Sequence, residues 1–377
     1  MLNFLRSLLS SRPDDRGRPT TGESPREPLE HISIPGVEPL AFASSLRYVN
    51  ELPVPDWEVV SSWVKTIPKQ DNQAMAWAAC EVAWLQHLRV ALGPTYHLAE
   101  HDGALLLSSV EHNVARAALG FMVKTLDRIR RLLDGLAQAP EWGKDILIVF
   151  DDQDTYYRYV SRYYREDGEF AGSSGMHINA GCSHFVTMKA DLRSVEPVIA
   201  HEMTHGCLSH LPIPAWLNEG IAVNTEQRLC PPPPSLFSPQ EMHEKHLRFW
   251  GEVEIQEFWS GKSFLRNDDG NMLSYDLARI LVAQFSSTWA TFRAFVRDAN
   301  MSDAGASAAR EHLGHDLGAA AAAILEHDLD GRWEPNPDKW NEAPEKGAFR
   351  ENASRSRTQR HPLNDAVGLR DPLEDLE

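Results

Sequence analysis

Apolar residues recur with a helical period in some stretches of this chain and form short continuous runs in others. Between residues 72 and 92, Ala, Trp, Val and Leu return at the spacing of one helix face. Residues 95–99 and 104–108 read as two short strands about the turn Asp102-Gly103. Residues 110–136 form a long amphipathic pattern with Arg128, Arg130 and Arg131 near its end, where cations favour a helix terminus. The apolar run 146–150 suits a buried strand. The aromatic stretch 155–164 predicts a helix, residues 172–181 are Gly- and Ser-rich, and residues 185–188 read as a strand.

A helix is predicted next, with Ser194 as its N-cap and Pro197 in its first turn, where a missing N–H costs little. Pro212 and Pro214 end it, and a second helix starts near Ala215 and runs to Leu229. Pro231 to Pro234 stop that helix as a loop or polyproline segment. Ser238-Pro239-Gln240-Glu241 is a capping box with proline at the first helical position. Residues 274–285 and 289–296 complete a helical C-terminal half.

The two ends differ from this middle. Residues 12–35 are rich in Pro, Arg, Asp, Ser and Gly, and the chain after Leu329 is polar and proline-containing. This divides the chain into a disordered leader (1–35), a helical N-terminal extension (36–92), a main folded domain (93–330) and a largely disordered tail (331–377), with Trp333 and Trp340 pinning part of the tail. The formal net charge of −17 argues against nucleic acid or an anionic membrane as partner. The four cysteines form no CxxC pair and read as reduced, mostly buried thiols. No stretch reaches the ~20 apolar residues of a membrane span, and residues 1–11 lack a secretion signal. A soluble cytoplasmic protein is the expectation.

The chemistry concentrates in His201-Glu202-Met203-Thr204-His205. Positions four apart share a helix face, so the two imidazoles can each give a nitrogen to one zinc ion. Glu202, one step around, suits a general base acting on a metal-activated water. The surrounding residues, Val198 to Ala200 and Met203 to Cys207, are mostly apolar or small, and two histidines with a carboxylate in a buried helix are costly without a cation. A catalytic zinc wants a third protein ligand, and Glu219 in Trp216-Leu217-Asn218-Glu219-Gly220-Ile221-Ala222 supplies it. The thirteen intervening residues leave room for a helix end, a reversing turn and a returning helix.

HExxH followed by W-L-N-E-G-x-A resembles the gluzincin metallopeptidases, in particular the peptidase MA-like group, sharply over residues 198–223. The resemblance implies one zinc per chain held by His201, His205 and Glu219, with Glu202 as base and a peptide or protein as substrate. It implies a mainly helical α+β zincin-like fold with a small mixed sheet in the upper lobe. It further implies that the strand before the metal helix, His184 to Met188, is the edge that pairs with an extended peptide. Zincins stabilise the oxyanion with a Tyr or His from the lower lobe, and Tyr275 is the candidate. The pattern departs from many relatives at Val223, where an Asp supports a ligating histidine; Asn224 or Glu226 are the substitutes at hand. His210 is offset from the metzincin position and is a poor ligand. His243 and His246 read as a solvated helix face, and His177 and His184 as surface histidines beside the edge strand. Two other classes stay open: a catalytically silent zincin-like binding module, and a zinc hydrolase of non-peptide amides or esters.

Overall fold

The computed structural model describes residues 27–139, 142–163, 175–190, 192–231 and 236–340. The leader up to residue 26, Pro232 to Pro234 and the tail beyond residue 340 lie outside them. The described chain is α+β, with helices dominating and one small mixed sheet.

The first elements are a hairpin, β1 (Leu46–Val49) and β2 (Leu52–Pro55), where the sequence pattern predicted only helices. Its turn places Asn50 and Glu51 at φ 50° and 64°, the left-handed pair that a tight hairpin turn requires. Glu51 is an unusual residue there, which hid the turn. Helix α1 (Trp57–Lys65) follows, capped by Asp56, whose carboxylate accepts from the N–H groups of Glu58 and Val59. Helix α2 (Gln70–Leu92) buries Trp84, Leu85 and Leu88.

The five-stranded sheet runs β3 (His97–His101), β4 (Ala104–Ser108), β5 (Asp145–Phe150), β7 (Cys182–Met188), β6 (Gly175–Ala180) in spatial order. β4, β5 and β7 are parallel, and β3 and β6 are antiparallel edges. β4 and nearly all of β5 are buried, as central parallel strands covered on both faces should be. Phe42, Leu52, Trp57 and Trp84 share one core with Leu105, Ile146 and Val186, so the N-terminal segment and the sheet bury their apolar faces together.

The expected edge strand is corrected. His184 to Met188 lies in β7, which is covered on one side by β5 and on the other by β6. The Gly- and Ser-rich composition carries no strand signal for β6, which pairing with β7 forms. Gly181, at φ +83° with Trp57 too close for any Cβ, closes the tight turn into β7.

The remaining helices are α3 (His112–Leu132), α4 (Gln153–Val160), α5 (Leu192–Leu208), α6 (Ala215–Leu229), α7 (Pro239–Phe249), α8 (Glu252–Ser260), α9 (Asp269–Phe285), α10 (Trp289–Asp298), the single turn α11 (Ala306–Ala308) and α12 (Leu317–Ile324). α5 begins ahead of Ser194, so Pro197 sits inside the helix rather than in its first turn. The capping box of α7 forms reciprocally between Ser238 and Glu241. α6 packs against α5 on one side and α9 on the other.

The ordered body extends past both expected boundaries. Ile32 and Ile34 are buried, and Ile32 bridges to Leu40. At the other end Trp333 is buried, its carbonyl accepts from Trp259 Nε1 at 2.8 Å, and Glu334 receives Ala319 N–H at 3.1 Å. Pro337 to Trp340 belong to a separate unit and form one short turn closed by Trp340 N–H to the Pro337 carbonyl at 3.2 Å. No described helix is long and apolar enough to cross a membrane. All four cysteines are buried and free.

Candidate metal centre

Helix α5 carries His201 and His205 one turn apart, and α6 returns Glu219 to the same point. The link works because Pro214 precedes α6 in extended backbone and its carbonyl accepts from Leu217 and Asn218, starting the new helix at once. Trp216 then anchors α6 in the lower core, with its Nε1 donating to the Ala304 carbonyl at 3.0 Å. Burial of Trp216 and Leu217 on one side of the helix turns Glu219 towards α5.

Three donor atoms converge. His201 Nε2 and His205 Nε2 are 3.1 Å apart, and Glu219 Oε2 lies 3.2 Å from the first and 3.3 Å from the second. A tetrahedral ion with bonds of about 2.0–2.1 Å sets its ligand atoms about 3.3–3.4 Å apart. The donor set fits such an ion in both spacing and chemistry, and among the described residues this is the cluster able to hold a metal. The side chains of His201, His205 and Glu219 are only 15%, 11% and 21% exposed, so water is largely displaced from the ligand shell.

The electrostatics favour a cation at this point. Burial works against a charged His201, yet the carboxylates of Glu219 and Glu226 outweigh it and push its pKa up to about 10. Burial likewise opposes ionisation of Glu219, but His205 and His201 hold its carboxyl well below the usual range. His205 is shifted upward, again against its burial, mainly by Glu219. Imidazoles that bind protons this firmly are facing negative charge, and a metal would take the place of those protons.

Glu226, rather than Asn224, reaches the histidine pair. Its Oε2 lies 3.2 Å from His201 Nδ1, and donation from that nitrogen would leave Nε2 free for a metal. Asn224, the other substitute, turns away: its Nδ2 donates to the carbonyls of Gly220 and Arg279, bracing α6 on α9. His205 Nδ1 has no partner among the described residues.

Glu202 is buried, and burial raises its pKa. Its carboxylate accepts a hydrogen bond from the backbone N–H of His177 on β6. The metal helix and the edge strand therefore meet at this carboxylate, a contact that strand prediction had missed. Tyr275 on α9 stands with its ring centroid 6.4 Å from that of His201 and packs edge-on to Phe264 rather than against Trp216 or Phe285. Burial first, then Glu219 and Glu202, push its hydroxyl pKa up, so it stays a proton donor.

Other histidines fall outside the cluster. His210 is exposed beyond the end of α5. His184 is a core residue, bonded to Tyr159 Oη at 2.6 Å and to the Cys182 carbonyl at 2.9 Å, not the surface residue expected. His246 is buried between Asp276 and Trp250 Nε1, correcting the solvated face expected of it, whereas His243 is exposed and pairs with Glu326. The interior face of α7 became visible only once α9 packed on it. Compared with protein-family models, curated proteins and solved structures, the chain matches none.

Proposed function

We propose that this chain is a zinc-dependent peptidase of the gluzincin type, with a zincin-like fold and one metal per chain. The observation that carries the reading is the convergence of His201 Nε2, His205 Nε2 and Glu219 Oε2 within 3.1–3.3 Å beside the buried carboxylate of Glu202. A purely structural metal site has no use for that fourth, protonatable group.

His201, His205 and Glu219 would hold the zinc, which would supply Lewis acidity towards a carbonyl and a water. Glu202 takes the proton from the attacking water and hands it to the leaving amine, a task for which a raised carboxyl pKa is suited. The His177 N–H fixes one side of the carboxylate so that it keeps its aim. Tyr275 donates from its hydroxyl to the oxygen that gains charge in the transition state. Glu226 holds His201 in the tautomer that leaves Nε2 available.

The test joins metal content to turnover. Full-length protein should carry close to one zinc and cleave members of an unbiased peptide library. Glu202→Gln should keep the zinc and lose turnover, because an amide cannot take the proton. Glu219→Ala should lose most of the zinc, whereas His210→Ala should keep it. Absence of zinc after reconstitution overturns the metal assignment. Turnover of small amides or esters but of no peptide overturns the substrate assignment.

A further inference from the structure

Beside the metal helix lies a cavity of about 450 Å³ walled by Trp77, Trp142, Asp145, Ser183, Phe185 and Gly206, among others. It shares its wall with the metal centre. Gly206 directly follows His205, and a Cβ there would stand 3.3 Å from Phe185 Cζ and 3.7 Å from His177 Nε2. His177 Nε2 is also 2.8 Å from Ser183 Oγ. Thus the β6–β7 hairpin that flanks Glu202 on one side encloses this cavity on the other.

Its lining has an uncompensated charge. The Asp145 carboxylate makes no hydrogen bond or ion pair with the described residues, and burial pushes its pKa up to about 6. The adjacent cation, Lys144, is engaged by Glu100. His210, also in the lining, has its pKa lowered by burial. Trp142 Nε1 is buried with no acceptor among the described residues. The indoles of Trp77 and Trp142 lie 6.1 Å apart. Glu81 holds this arrangement in place, accepting from Trp77 Nε1 at 2.9 Å and from the Lys144 N–H at 3.0 Å.

We propose that this cavity is a specificity subsite for a cationic side chain of the substrate, a guanidinium above all. The inference rests on the peptidase reading. A planar guanidinium stacks on indole faces and pairs with the Asp145 carboxylate. Occupation relieves an unpaired carboxylate, which an apolar side chain would leave unpaired.

The test is a binding measurement on the full-length, zinc-loaded protein with arginine amide and its neutral isostere, citrulline amide. Titration calorimetry should show arginine amide bound about tenfold or more tightly than citrulline amide. Asp145→Asn should abolish that preference while leaving the melting temperature and zinc content in place, and Asp145→Ser should do the same should the amide mispair. Equal binding of the two amides, no binding of either, or a preference that survives both substitutions overturns the subsite. Turnover plays no part in this measurement, so a protein that binds arginine amide selectively but cleaves no peptide would refute the peptidase reading alone.

Discussion

Replacing Gly220 by alanine tests how the third ligand is held. Gly220 follows Glu219 and faces α9, where a Cβ would stand 2.5 Å from the Ala278 carbonyl oxygen and 2.6 Å from Val282 Cγ2. The valine can turn, but the carbonyl belongs to the helix backbone. Real Cβ contacts do not fall below 3.0 Å, so α6 and α9 must separate by at least 3.0 − 2.5 = 0.5 Å. Overpacking of this kind costs about 1–3 kcal/mol or more, against a gain of about 1 kcal/mol from alanine's better helix propensity. Net destabilisation of up to about 2 kcal/mol is expected in the metal-free protein by urea unfolding. The same displacement moves Glu219 relative to His201 Nε2 and His205 Nε2, which lie 3.2 and 3.3 Å from its Oε2, so zinc affinity should fall about tenfold or more in a chelator competition. Gly120→Ala is the control: it lies inside α3 with nothing within 4 Å of the added Cβ, and it should be neutral or stabilising. If Gly220→Ala behaved like Gly120→Ala in both assays, the close approach of α6 to α9 would be refuted.

Two further outcomes follow from the same geometry. Glu226→Ala should reduce zinc affinity about 10–100-fold while Asn224→Ala costs stability through the α6–α9 brace, and equal zinc affinity in Glu226→Ala and the parent would remove Glu226 from its role. Glu81, pushed up to about 7 chiefly by burial, keeps its proton in the folded state where the unfolded chain has lost it. Stability should therefore fall by ~3 kcal/mol as pH rises from about 4.5 to about 7, and this part of the slope should vanish in zinc-saturated Glu81→Gln; parallel profiles for the two proteins would count against a buried, titrating Glu81.

The sequence by itself carried those features whose physics is local. The spacing of His201 and His205 on one helix face, the reversal at Pro212 and Pro214, and the return of Glu219 on α6 all depend on neighbours a few residues away. So does the capping box at Ser238, and so do the continuous apolar runs that became β4 and β5. Tertiary structure decided the rest. The stretch before the metal helix has the composition of a loop, and it became an edge strand only because β7 offered it a hydrogen-bonding partner. Asn224 and Glu226 were equal candidates along the chain, and the packing of α6 between α5 and α9 sent one to the Arg279 carbonyl and the other to His201. His184, His246 and Ile32 looked peripheral until remote segments covered them. Helical periodicity and turn chemistry are written within one or two turns of chain, whereas strand pairing and burial depend on residues brought together from far apart, and these fixed the flank of Glu202 and the wall of the adjoining cavity.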